Sequence, residues 1–266
     1  MTCGAITGGL RGSISGSIRG GITGVISAAT LVLALLPRPV WSEPMILAAA
    51  STNRALEAAL EASGQEAVAS YGASGMLARQ VEQGAPADLF VSANPKWMGY
   101  LVEAGLVETD SVKVLMSNSL VLIAPEDAPG WDDLALADRL AGDSFVVANP
   151  ETAPVGAYGK AALESLGFWD TVAPAMVPMR NTLATVAAVA QGEAALGLVY
   201  ASDAAGQPVQ VLWNIPTDSH PDIRYLVAPV GQGDDPEGAR KVLDFLLSDA
   251  GAAILEAHGF LATGGL

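Results

Sequence analysis

From residue 45 onward, apolar runs of strand length alternate with stretches whose apolar residues recur one helical turn apart. The runs 45–50, 67–71, 88–92, 119–124, 144–148, 196–200, 209–213 and 225–230 read as strands. Between them the spacing predicts helices over 53–62, where Leu56 and Leu60 lie one turn apart, and around Leu77 and Val81, which repeat that spacing. Further helices are predicted over 95–103, 157–166, 183–191, 236–247 and 249–258. Pro95 suits a first helical turn, and Gly64, Gly84, Gly105, Gly167, Gly192 and Gly259 stand where helices should stop. Strands alternating with amphipathic helices predict an α/β fold with largely parallel sheets.

Two polar breaks interrupt this alternation. The first is Pro125-Glu126-Asp127-Ala128-Pro129-Gly130, and the second runs from Pro216 to Asp222. A chain that crosses to a second lobe near the first break and returns near the second has a discontinuous first lobe. The expected division is 43–122 for the first part of lobe 1, 123–225 for lobe 2 and 226–266 for the rest of lobe 1, with a ligand cleft between the lobes.

The first 42 residues differ in kind. They carry Arg11, Arg19 and Arg38 with no acid, and the apolar run 26–36 is too short for a membrane span of roughly 20 residues. Residues 1–42 therefore read as an export signal cleaved after Ser42, the alternative being an uncleaved anchor. Cys3 lies too early to be lipidated after that run. Setting the three arginines aside leaves 10 basic residues against all 28 acids, a formal −18. That balance argues against nucleic acid or anionic lipid as partners. With no cysteine after Cys3, neither a disulfide framework nor a cysteine metal site is available.

Chemistry gathers where strands end. At Ala50-Ser51-Thr52-Asn53 and Gly72-Ala73-Ser74-Gly75 an apolar strand runs straight into a hydroxyl-bearing helix start. A helix N-terminus offers exposed N–H groups and the positive end of the macrodipole, which suits an anion. Taken singly, each serine reads as an ordinary cap; the pair implies a shared anion site. Asn149 to Gly156, Arg180-Asn181-Thr182 and Val199-Tyr200-Ala201 are similar corners, placing neutral donors without Lys or Arg.

Catalytic motifs are weak by comparison. His220 and His258 stand apart, no Gly-x-Ser-x-Gly elbow surrounds Ser74, and Gly156-Ala157-Tyr158-Gly159-Lys160 lacks two defining residues of a phosphate loop. Asp132-Asp133 and Asp234-Asp235 look like solvated helix starts, and Trp97, Trp131, Trp169 and Trp213 like packing residues.

The segments Gly84-Ala85-Pro86-Ala87-Asp88-Leu89-Phe90-Val91-Ser92-Ala93, Lys96-Trp97-Met98, Asn118-Ser119-Leu120-Val121 and Gly192-Glu193-Ala194-Ala195-Leu196-Gly197-Leu198-Val199-Tyr200, in this order, resemble the molybdate-binding periplasmic components of ABC importers. The resemblance covers nearly all of 45–262. It implies a two-lobe periplasmic binding protein fold of type II, with two hinge crossings, that binds molybdate or tungstate and delivers it to a membrane permease as a non-enzymatic monomer without a cofactor. It also implies an oxyanion held by the hydroxyl and N–H of Ser51 and Ser74, the N–H groups of Val155 and Thr182, and the Tyr200 hydroxyl, with no direct protein–metal bond. That family often has an aliphatic residue where Thr182 stands. Rival readings are a binding protein for sulfate, phosphonate or a small organic anion, and an exported serine hydrolase using Ser74.

Overall fold

The computed structural model describes residues 43–131 and 136–262; residues 1–42, where the sequence predicts an export signal, Asp132-Asp133 and the last four residues lie outside the described residues. Ten strands form two five-stranded sheets. The first sheet takes β1 (Met45–Ala49), β2 (Val68–Gly72), β3 (Leu89–Ser92), β4 (Lys113–Met116) and β10 (Tyr225–Pro229), in the order β2-β1-β3-β10-β4. The second takes β5 (Leu120–Pro125), β6 (Phe145–Ala148), β7 (Met176–Met179), β8 (Leu196–Tyr200) and β9 (Val209–Asn214), in the order β7-β6-β8-β5-β9.

The helices are α1 (Asn53–Ser63), α2 (Ser74–Glu82), α3 (Pro95–Glu103), α4 (Leu136–Arg139), α5 (Pro154–Ser165), α6 (Trp169–Val172), α7 (Thr182–Ala190), α8 (Ala201–Ala204), α9 (Pro236–Leu246) and α10 (Asp249–Ala257). They cover both faces of each sheet, so successive strand residues enter different cores. In β1, Leu47 packs with Leu77 of α2 and Leu101 of α3, while Ile46 and Ala48 pack with Leu56 and Leu60 of α1 and Val242 of α9. In β5, Leu120 and Leu122 join the α5 side and Val121 and Ile123 the α7 side. This two-sided burial explains the continuous apolar runs, each large side chain contributing about 1.5–3 kcal/mol.

The sheets are mixed, which corrects the expectation of largely parallel sheets. β1 pairs parallel with β2 and β3, and β6 with β7 and β8, but β10 runs antiparallel to β3 and β4, and β5 antiparallel to β8 and β9. The antiparallel strands are those that follow a passage between sheets. The chain leaves the first sheet after Met116 and enters the second at Leu120, then returns between Asn214 and Tyr225. β5 pairs in the second sheet over Leu120 to Ile123 and on to Pro125, so the passage lies at 117–119, ahead of 122/123; Pro125 to Gly130 is the turn that follows β5. The two crossings are tied together, the Ser117 hydroxyl donating to the Ile223 carbonyl at 2.6 Å.

Candidate functional site between the lobes

Four helix starts converge where the sheets face each other. A single 3-10 turn, Ala50–Thr52, continues β1, and α2 begins one residue after β2 ends at Gly72. From the other lobe come α5, with Pro154 in its first turn, and α7, capped by the Asn181 side chain accepting from the Ala184 N–H at 2.9 Å. Together they line a small pocket between the lobes. Ser51, Ser74, Val155, Thr182 and Tyr200 all line it, beside Asn181 and small residues such as Ala49, Gly72, Ala73, Ala93 and Ala153. None of these lining residues is charged. At each helix start the first N–H groups have no acceptor within their own helix, and the aligned peptide dipoles put a partial positive charge there.

The serines are not caps. No side-chain cap bond closes the Ala50–Thr52 turn or α2. Ser74, fully buried, accepts from the Ala93 N–H at 3.1 Å, which leaves its own hydrogen free to point elsewhere. Ser51 Oγ lies 2.8 Å from the Tyr225 hydroxyl. Tyr200 ends β8 with a buried hydroxyl that has no partner of good hydrogen-bond geometry among the described residues. Burial, with Tyr225 and Tyr158 adding to it, pushes the Tyr200 phenol well up, so it stays protonated and able to donate. A buried donor of this kind costs stability until something accepts from it.

Thr182 differs from its neighbours. Its hydroxyl donates to Asp203 Oδ2 at 2.6 Å and so is committed to a residue that does not line the pocket. Asp203 is itself buried at the start of the second lobe's α8, and burial raises its carboxyl to about 7 against the lowering influence of Thr182, the Tyr200 backbone and Arg54. Asp203 and Tyr225 escaped the sequence reading. The available signal for Asp203 was an acid three residues beyond a fully apolar strand; Tyr225 looked like one more strand residue.

The lobes touch around the pocket. The Gly75 N–H donates to the Thr152 carbonyl at 2.8 Å, and Arg54 Nη2 donates to the Ser202 carbonyl at 2.8 Å. Gly75 has no room for a side chain, since a Cβ there would stand 2.4 Å from the Trp97 ring and 2.7 Å from the Thr152 oxygen. The histidines stand elsewhere: His220 Nδ1 meets the Pro221 carbonyl and His258 Nδ1 the Ile254 carbonyl. Among the described residues no His, Cys, Asp and Glu group could hold a metal ion, and no helix is long and apolar enough to cross a membrane.

Residues 45–261 match the family model described as bacterial extracellular solute-binding protein. The chain is 39% identical over 208 residues to the molybdate-binding protein ModA of Escherichia coli (strain K12), covering 74% of this chain and 79% of that one. It is 40% identical over 202 residues to the ModA protein of Haemophilus influenzae, with the same shares of both chains covered. In fold it resembles the periplasmic molybdate-binding protein of Azotobacter vinelandii, at a TM-score of 0.73 and 24% identity over 82% of this chain and 99% of that one. The two mixed sheets flanked by helices match that fold, and the chain belongs to the bacterial extracellular solute-binding protein family.

Proposed function

We propose that this protein binds molybdate in the pocket between its lobes and delivers it to the membrane permease of an ABC importer. One observation carries the reading: Ser51, Ser74, Val155, Thr182 and Tyr200, drawn from four helix starts and a strand end, meet in one uncharged pocket. A tetrahedral dianion stripped of water needs a hydrogen bond at every oxygen, and a site made of neutral donors supplies them. It also disfavours a protonated oxyanion, whose own hydroxyl would face donors with nothing to accept it. The names of the relatives point to the same ligand.

On this reading the five residues hold the oxyanion through hydroxyl and N–H groups, with no bond from protein to metal, and tungstate, which has the same shape and charge, fits equally. The protein acts as a periplasmic monomer without a cofactor, after cleavage following Ser42. On this reading it acts as a binding protein and not as a hydrolase: its family is one of solute-binding proteins, and the partner of Ser74 Oγ is a backbone N–H rather than a base. Lobe 2, entered at Leu120 and left after Asn214, stands between the two parts of lobe 1, which keeps the pocket beside both crossings.

Thermal unfolding with added oxyanions tests this. Molybdate at 100 times its dissociation constant should stabilise the protein by about 2.7 kcal/mol, and sulfate and phosphate by far less. Equal shifts for all three ions, or none with molybdate, would sink the reading, and a larger shift with sulfate would favour the sulfate rival.

A further inference from the structure

Ser51 can serve the pocket as a donor only if its hydroxyl hydrogen points there. Its oxygen lies 2.8 Å from the Tyr225 hydroxyl, and two hydroxyls share one hydrogen, so the direction of that bond must be set from further back. Asn118 sets it. Its Oδ1 accepts from the Ser119 N–H at 2.9 Å, which fixes the orientation of the amide. Its Nδ2 then donates to Ser202 Oγ at 2.8 Å and reaches the Tyr225 hydroxyl at 3.5 Å. An amide NH2 has no lone pair to offer, so the Tyr225 oxygen accepts from Asn118; the neighbouring Tyr200 hydroxyl makes no bond of good geometry, so Ser51 Oγ is the partner left for the Tyr225 hydrogen. Ser51 becomes the acceptor in that pair, and its own hydrogen is left over.

We propose that Tyr225 and Asn118 are positioning residues that commit the Ser51 hydroxyl to donate into the anion pocket. The inference rests on the oxyanion reading above and adds to it the residues that give one donor its direction. Their place in the fold strengthens it. Asn118 lies on the crossing from the first sheet to the second, and Tyr225 opens the strand that follows the return crossing. Both are buried, Asn118 at 4% exposure and Tyr225 at 0%, so water does not compete for these bonds. The chain from Asn118 to Ser51 therefore runs through the hinge, and a donor of the first lobe is oriented by residues that also bond Ser202 of the second.

Tyr225 also packs edge-on against Phe260 at 5.3 Å, so the test must separate the hydroxyl from the ring. Tyr225→Phe does so. Molybdate affinity should be measured by calorimetry for the unaltered protein, Ser51→Ala, Tyr225→Phe and the double variant. Tyr225→Phe should weaken binding about tenfold in the unaltered background and hardly at all in the Ser51→Ala background, because the hydroxyl it orients is already gone. Asn118→Ala should behave the same way with a smaller, several-fold loss. A Tyr225→Phe loss that persists in full without the Ser51 hydroxyl, or no loss where Ser51→Ala shows one, overturns the proposal alone. Unchanged affinity in Ser51→Ala overturns the site assignment along with it.

Discussion

Thr182 carries two donors, and the fold separates their tasks. The hydroxyl is held 2.6 Å from Asp203, so Thr182→Val, which keeps the N–H, should change molybdate affinity by less than about 1 kcal/mol in a calorimetric titration. A tenfold or greater loss would mean that the hydroxyl also serves the anion. Sequence reasoning would send such a hydroxyl back to its own helix. It goes instead to a carboxylate on another element, a partner invisible to local spacing. Ser51, Ser74 and Tyr200 were legible because each stands at a junction between strand and helix, where a short stretch of sequence fixes the geometry. Asp203 brings a second consequence. Burial lifts its folded-state pKa to about 7, above the unfolded value, so its contribution to stability is fully present below pH of about 4 and is lost as pH rises through 7. Asp203→Asn, whose amide stays neutral, should therefore gain stability relative to the unaltered protein between pH 5 and pH 8, by at most roughly 4 kcal/mol. Urea melts at the two pH values check this, and a difference that does not change with pH would refute it.

At the scale of elements, the corner from β6 into α5 shows how closely the pocket backbone is built. A Cβ on Gly156 would stand 1.9 Å from the Ala148 carbonyl oxygen, so Gly156→Ala must push the start of α5 off the strand. The expected cost is about 1–3 kcal/mol of stability, with weaker molybdate binding because the neighbouring Val155 N–H moves with the helix. Gly99 in α3 has nothing within 4 Å of the same position, so Gly99→Ala should be neutral or stabilise by up to ~1 kcal/mol. Equal effects of the two substitutions in denaturant melts would contradict this account. The eight strands read from the sequence all stand within a residue or so of their expected bounds; in β1, β3, β5, β6, β8 and β10 burial on both faces makes the apolar runs continuous, while β2 and β9 are partly exposed edge strands. The two that escaped, β4 and β7, are edge strands. β4 is partly exposed and holds Lys113, and β7 holds Pro178, which an edge tolerates and a central strand does not. Helix α5 begins at Pro154, ahead of the expected 157, because Pro fits the first turn of a helix.

For the whole molecule the question is how a strongly acidic protein collects a dianion. Residues 43–266 carry a formal −18, a field that opposes an approaching anion at long range. The pocket counters it only locally, with helix starts whose partial positive charges fade within about a turn and no cationic side chain in the lining. The Gly75 to Thr152 and Arg54 to Ser202 bonds join the lobes, so capture should be held by closure and by satisfied hydrogen bonds more than by charge. Added inert salt, with a Debye length of about 10 Å at 0.1 M, screens the repulsion before it screens contacts inside the pocket. The association rate for molybdate should therefore hold steady or rise as salt is added, while the dissociation rate changes little. Stopped-flow measurements over a range of sodium chloride concentrations check both. An association rate that falls steeply with salt would mean that a cationic surface steers the anion in, and the balance between a repelling exterior and a neutral, donor-lined interior would have to be given up.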